Sequence, residues 1–200
     1  IVPGHQVVGV IDALGGSVTT LKVGDRVGIP WFHNACGKCK FCFAGNQNLC
    51  AQAHFTGFHL DGGFSEYMLA DADAVLPLPP ALTDEQTAPL LCAGIIGYRS
   101  LRKADLRPGE CLGFFGFGAS AHIAIQVARH WGCEVYVFTR SLNHRAHAES
   151  LGAAWVGGAE DVSPRFLDRA VIFAPAGNLV PLALEKIRPG GTLAINAVHM

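Results

Sequence analysis

The apolar positions in the first third of the chain recur in short alternating runs separated by glycine. Residues 6–11 form one run, closed by Gly15-Gly16, and residues 25–30 form another, opened by a Val23-Gly24 turn. Both predict short strands of a β-rich unit. From Asn34 to Asn48 the periodicity gives way to Cys, Gly, Lys and Asn, the pattern of a lobe hung on that scaffold. Gly62-Gly63-Phe64-Ser65-Glu66-Tyr67 then leads back into alternation through Met68 and Leu69, which predicts another strand. Pro77, Pro79 and Pro80 stop it, and Thr83 with Gln86 three residues on is a capping box that predicts a helix start.

After Cys92 the period changes. Helices are expected over 95–103, 119–131, 143–151 and 180–187, and strands over 110–115, 133–139, 169–174 and 192–198. Strands interleaved with helices in this way predict parallel pairing in a doubly wound sheet. The boundary between the β-rich unit and the α/β unit falls near Gly94–Gly97, giving domains of 1–95 and 96–200.

Composition narrows the function. Of 200 residues, 50% are hydrophobic, enough for packed cores and too many for a disordered chain; mean hydropathy is +0.30. Fifteen Lys and Arg against sixteen Asp and Glu leave a net charge of −1, so no basic surface tracks a phosphate backbone and nucleic acid is not an expected partner. The uncharged run from Cys111 to Ala128 is interrupted by Gly113, Gly116 and Gly118, and it reads as strand, turn and helix, with no membrane contact expected.

Four of the seven cysteines lie between Cys36 and Cys50, a spacing that suits a metal better than disulfides in a reducing cytosol; a cytoplasmic location is expected. Cys36-x2-Cys39-x2-Cys42-x7-Cys50 can place four sulfurs around one tetrahedral ion. Iron–sulfur ligation is the rival, but the ferredoxin run has its fourth Cys after three residues with Pro following, whereas Ala51 follows here. Zinc is preferred. With every position filled by sulfur the site is closed and structural, and Lys38 and Lys40 between the ligands offset part of its negative charge.

A second motif follows the apolar run ending at Phe115. Gly116-Phe117-Gly118-Ala119-Ser120-Ala121 matches the G-x-G-x-x-G/A fingerprint between a strand and a helix. Its first glycine makes the turn, its second lets a pyrophosphate approach the backbone, and the helix N-terminus supplies amides. At the end of the next strand an acidic residue would bind the ribose 2′-hydroxyl of NAD, but Thr139 stands there, followed by Arg140, with His144 and Arg145 one turn further. NADP is favoured over NAD. Trp31 and Phe32, just before the cysteine lobe, read equally as walls of a substrate pocket and as ordinary packing.

Taken in order, Pro3-Gly4-His5, Val23-Gly24-Asp25-Arg26-Val27, the four-cysteine lobe, Gly62-Gly63-Phe64-Ser65-Glu66-Tyr67, Leu91-Cys92-Ala93-Gly94, the glycine fingerprint and Arg188-Pro189-Gly190-Gly191 resemble the zinc-dependent, medium-chain alcohol dehydrogenases. That resemblance implies an α/β chain: part of a GroES-like β-rich catalytic domain with a zinc lobe, then part of a Rossmann doubly wound parallel sheet. It implies that His5 and Cys92 are two ligands of a catalytic zinc and that Cys36, Cys39, Cys42 and Cys50 hold a structural one. It implies interconversion of small alcohols with aldehydes or ketones using NAD(P), in a homodimer or homotetramer. The two readings set against it are a metal-independent quinone or alkene reductase of the same superfamily and a non-catalytic zinc module. Gln6 stands where the family has Glu after the zinc-binding His, which removes a carboxylate from beside the metal. The family's first catalytic Cys lies upstream of Pro-Gly-His, and its coenzyme sheet continues past Val198-His199-Met200, so the chain is expected to be the middle of a longer protein.

Overall fold

The first two alternating runs form strands β1 (Val7–Val10) and β2 (Arg26–Ile29), paired antiparallel with Val7 opposite Ile29 and Val10 opposite Arg26. The computed structural model describes residues 1–197 and divides into two units, Ile1–Cys92 and the chain from Ala93 onward. In the first unit β3 (Phe32–Asn34) pairs antiparallel with β4 (His54–Phe55), and between them lie α1 (Lys40–Phe43) and a 3-10 turn, Gln47–Leu49. The two-residue strand β5 (Leu76–Pro77) pairs with β2. Pro77 thus takes an edge position, where its missing N–H breaks no ladder. The capping box is present: Thr83 accepts from the Gln86 amide and Gln86 from the Thr83 amide at the head of α2 (Asp84–Thr87). Arg26 fastens β2 to this helix through the Asp84 carboxylate, the Thr87 hydroxyl and the Pro79 carbonyl.

One expected strand is missing. Residues 62–69 hold no strand, only bends at 63–66, with Tyr67 and Leu69 largely exposed. Their alternation was misread because the segment's backbone bonds go to the chain start: Gly62 N–H donates to the Val2 carbonyl, Gly63 to Gly4 and Phe64 to Pro3. Period-two hydrophobicity is not sufficient for a strand when the amides have other partners.

The second unit begins with α3 (Ala93–Lys103) and alternates from β6 (Cys111–Phe115) through α4 (Ala119–His130), β7 (Glu134–Phe138), α5 (Leu142–Ser150), β8 (Trp155–Gly157), β9 (Leu167–Ile172) and α6 (Leu179–Lys186) to β10 (Ile187–Ile195). Among the described residues its sheet has the order β10-β9-β6-β7-β8, parallel throughout. All five residues of β6 are buried, as expected of a central strand covered on both faces. Leu112 and Phe114 face one core with Val135, Val137 and the helix residues Ala121 and Ile125; Cys111 and Phe115 face the other with Tyr136, Phe138 and Ala183. The strand β8 was not expected, since three residues are too few to show a period. The last strand begins at Ile187, earlier than expected, with a register shift before Thr192; Val198, in the expected strand, lies outside the described residues.

Charged groups gather where the parallel strands begin. Arg169, 6% exposed, is paired with Glu110 at 3.1 Å and donates to the Thr192 hydroxyl. Asp168 accepts from the Cys111 amide at 2.7 Å and from Arg188. No helix among the described residues is long and apolar enough to cross a membrane.

Burial raises the Asp168 carboxyl, but the Cys111 N–H and the Arg188 guanidinium outweigh it and hold it below the ordinary Asp value. A depressed carboxyl stabilises the fold above its unfolded value, near 3.8, and that contribution disappears as pH falls through the lower folded value. Asp168→Asn is therefore expected to lower the thermal midpoint at pH 7, with the gap to wild type closing as the pH is taken below 4. A gap that stays constant down to pH 2.5 would contradict this account.

Candidate metal lobe and coenzyme cleft

The lobe is built by a helix too short to have a core. Cys39 is the N-cap of α1, Cys42 lies in its single turn, and the 3-10 turn Gln47–Leu49 delivers Cys50. The four ligand sulfurs all lie within 4.8 Å of one another, with Cys36 and Cys42 at 3.9 Å and Cys39 and Cys42 at 3.5 Å. Sulfurs about 2.3 Å from a tetrahedral zinc stand about 3.8 Å apart, so the donor set fits this ion. Among the described residues it is the one cluster of three or more metal-ligating side chains with this geometry.

Electrostatics points the same way. The Cys39 thiol is lowered to about 6, chiefly by the Cys42 backbone N–H, whereas desolvation and the bond shared with Cys39 push Cys42 up to about 11. The Cys36 thiol is lowered as well, chiefly by the Lys38 backbone N–H, so the lobe holds thiols that ionise readily beside one that does not, a conflict that a divalent cation removes. Of the two lysines expected to offset the charge, Lys40 sets its ammonium over the Phe41 ring at 5.0 Å.

His5 is placed by backbone. Gly4 has φ +102°, and a Cβ on Gly62 would lie 2.0 Å from the Gly4 carbonyl oxygen, so the chain start and the Gly62-Gly63 bend touch main chain to main chain. The His5 ring meets Trp31 edge-on at 4.9 Å, and Trp31 stacks on Phe55 at 5.0 Å. Trp31 is therefore both a packing residue and the neighbour of His5, while Phe32 packs edge-on against Phe55. Behind them is a buried polar link that sequence reasoning missed. The Thr56 hydroxyl donates to the Pro30 carbonyl, so it accepts from His33 Nδ1–H, and His33 Nε2 accepts the Asp71 amide. Cys92 follows the 3-10 turn Ala88–Leu91 and is half-buried, and burial raises its thiol. Among the described residues, neither His5 nor Cys92 belongs to a group of three or more metal-ligating side chains.

In the second unit the fingerprint forms its turn. Gly116 has φ +91°, and a Cβ there would lie 2.8 Å from the Ala174 amide nitrogen; a Cβ on Gly118 would meet nothing within 4 Å. The first glycine is required by the turn, and the second leaves open space over the N-terminus of α4, which has no side-chain cap. A cleft of about 990 Å³ opens at the carboxyl ends of β6, β7 and β9, where the strand order reverses. Gly116, Phe117, Gly118, Thr139, Arg140 and His144 line it. Ala119, Ser120 and Ala121 form the first turn of α4, with Ala121 fully buried. The open glycine, the uncapped helix and the cleft fit a dinucleotide.

Two features differ from the expectation. Arg145 does not line the cleft; its Nε donates to the Thr139 carbonyl at 2.9 Å, so it braces the corner that presents Arg140. Carboxylates do reach the cleft, because Glu160 and Asp161 enter it from the loop after β8. His122 was also missed: its Nε2–H donates to the Phe117 carbonyl at 3.0 Å and its ring lies 4.6 Å from that of His147. Burial and the neighbouring His147 and His144 lower His122, so it holds the glycine loop as a neutral ring.

A four-thiol lobe on a β-rich unit is thus followed in the same chain by a parallel sheet with a glycine turn at its reversal point. Residues 1–80 match the alcohol dehydrogenase GroES-like domain family. The whole chain is 47% identical to the probable alcohol dehydrogenase AdhA of Mycobacterium tuberculosis, covering 59% of that protein; 98% of it is 41% identical to an alcohol dehydrogenase of Geobacillus stearothermophilus, covering 60%. The crystal structure of CAD from Helicobacter pylori complexed with NADP(H) superposes on the whole chain and on 60% of its own length, with a TM-score of 0.91 at 30% identity. The resemblance to the medium-chain alcohol dehydrogenases holds over the full chain, as a GroES-like unit followed by a Rossmann-type unit. The chain spans about 60% of the length of the curated relatives it matches.

Two outcomes are expected. Gly62→Ala forces the Gly4 backbone away and lowers stability by about 1–3 kcal/mol, measurable by thermal unfolding; an unchanged midpoint would show that the close contact is dispensable. Metal analysis should find one zinc held tightly enough to survive gel filtration, a second held weakly, and the tight one lost in Cys39→Ser. Two equally tight zincs would refute this assignment.

Proposed function

We propose that the protein is a zinc-dependent oxidoreductase interconverting an alcohol with an aldehyde or ketone, with NADP favoured over NAD. The observation that carries this reading is the conjunction, in one chain, of the four-sulfur cluster and a cleft lined by the fingerprint glycines and Arg140. A bare zinc module has no use for the second feature, and a metal-free reductase has no use for the first. We assign residues 1–95 to the catalytic domain and 96–200 to the coenzyme domain.

Each residue has a stated task. Cys36, Cys39, Cys42 and Cys50 would hold a structural zinc that replaces a hydrophobic core in the lobe. His5 and Cys92 would contribute to a catalytic zinc, with Trp31 fixing the His5 ring and providing an apolar face beside it. Zinc would supply Lewis-acid polarisation of the alcohol or carbonyl oxygen, and the nicotinamide would carry the two electrons. The amides of Gly118, Ala119 and Ser120 at the head of α4 would hold the pyrophosphate, with Ala121 seating that turn in the core. Thr139, Arg140 and His144 would receive the adenosine ribose, and Arg145 supports them from behind. Such an enzyme is cytoplasmic and assembles as a homodimer or homotetramer, and its substrates are small alcohols and aldehydes.

Initial rates of aldehyde reduction by the holoenzyme test this directly. The expected result is a rate abolished by chelation, restored by Zn²⁺ and several-fold faster with NADPH than with NADH. A chelator-insensitive rate would move the protein to the metal-independent reductases, and faster turnover with NADH would overturn the role given to Thr139 and Arg140.

A further inference from the structure

The end of β7 carries no acid, but the end of β8 does. Thr139 N–H donates to the Gly157 carbonyl at 2.7 Å, so the corner holding Thr139, Arg140 and Ser141 adjoins the loop from Gly158 to Asp161. Asp161 is committed to that loop: its carboxylate accepts the Gly158 amide at 2.7 Å, and its carbonyl accepts Lys186 at 2.8 Å. Glu160 lines the cleft, is exposed, and has no hydrogen bond or ion pair among the described residues. Arg140 lines the same cleft and is equally unpaired. The cleft therefore presents one arginine against two carboxylates, one of them free.

We propose that Glu160 is a specificity-determining residue of the coenzyme site, supplying from β8 the carboxylate that the end of β7 lacks. A free carboxylate accepts hydrogen bonds from ribose hydroxyls and repels a 2′-phosphate, which carries nearly two negative charges at neutral pH. Arg140 acts in the opposite sense. The preference for the phosphorylated coenzyme is thus a balance between two side chains on neighbouring strand ends, and the protein accepts both coenzymes.

This inference rests on the coenzyme reading above, and binding separates the two. Dissociation constants for NADPH and NADH are measured by coenzyme fluorescence for the wild type, Glu160→Gln and Asp161→Asn. Through a solvent-exposed cleft, removing one charge should tighten NADPH by about three- to tenfold, leave NADH unchanged or weaker, and have a smaller effect in high salt. Asp161→Asn loosens the turn and should shift both coenzymes alike. Equal shifts of both coenzymes in Glu160→Gln, no shift, or the same selectivity change in Asp161→Asn would overturn the assignment to Glu160. Failure of the wild type to bind either coenzyme would overturn the coenzyme reading itself.

Discussion

A methyl group on Gly62 would lie 2.0 Å from the Gly4 carbonyl oxygen, and one on Gly116 would lie 2.8 Å from the Ala174 amide. At both places main chain meets main chain at a distance that excludes any Cβ. The first contact seats the segment that carries His5; the second brings the end of β6 against the residues after β9 and opens the cleft above α4. Side chains could not set either geometry, because a side chain is longer and softer than the backbone it would replace. The chemistry of both units is therefore organised around glycines that perform no chemistry.

The parallel sheet divides its electrostatics between its two ends. Where the strands begin, Arg169 with Glu110, Arg188 with Asp168 and Arg165 with Glu134 neutralise one another. Where β7 and β8 finish, Arg140 and Glu160 are unpaired, and after β6 the first turn of α4 has no side-chain cap. Charges paired at one end hold the strands in register, and groups left unpaired at the other are available to a ligand. This is a division of labour within one element set, since every β strand contributes to both ends.

The lobe shows the opposite economy. With α1 reduced to four residues and none of them buried, what gathers in the lobe is four sulfurs within 4.8 Å of one another. The link from Pro30 through Thr56 and His33 to Asp71 then ties β3 and the segment before it, which carries Trp31, to the residues that follow β4 and to the chain near Asp71.

Much of this was legible in the chain itself. Cysteine spacing, the G-x-G-x-x-A run after an apolar strand, the Thr83–Gln86 capping box and the change from period two to alternating helices and strands are local rules, each acting over a few residues. They identified the metal lobe, the coenzyme turn and the order of the α/β unit. Residues 62–69 misled because the amides of Gly62, Gly63 and Phe64 bond to residues 2–4, a partner no local pattern reveals. Arg145, expected among the cations at this corner, has its Nε held by the Thr139 carbonyl, a contact that the spacing alone does not reveal. The placement of Glu160 in the same cleft as Arg140 was decided only by β8 pairing with β7, because the composition of a cleft is set by which strand ends become neighbours, and pairing between strands is a property of the folded sheet.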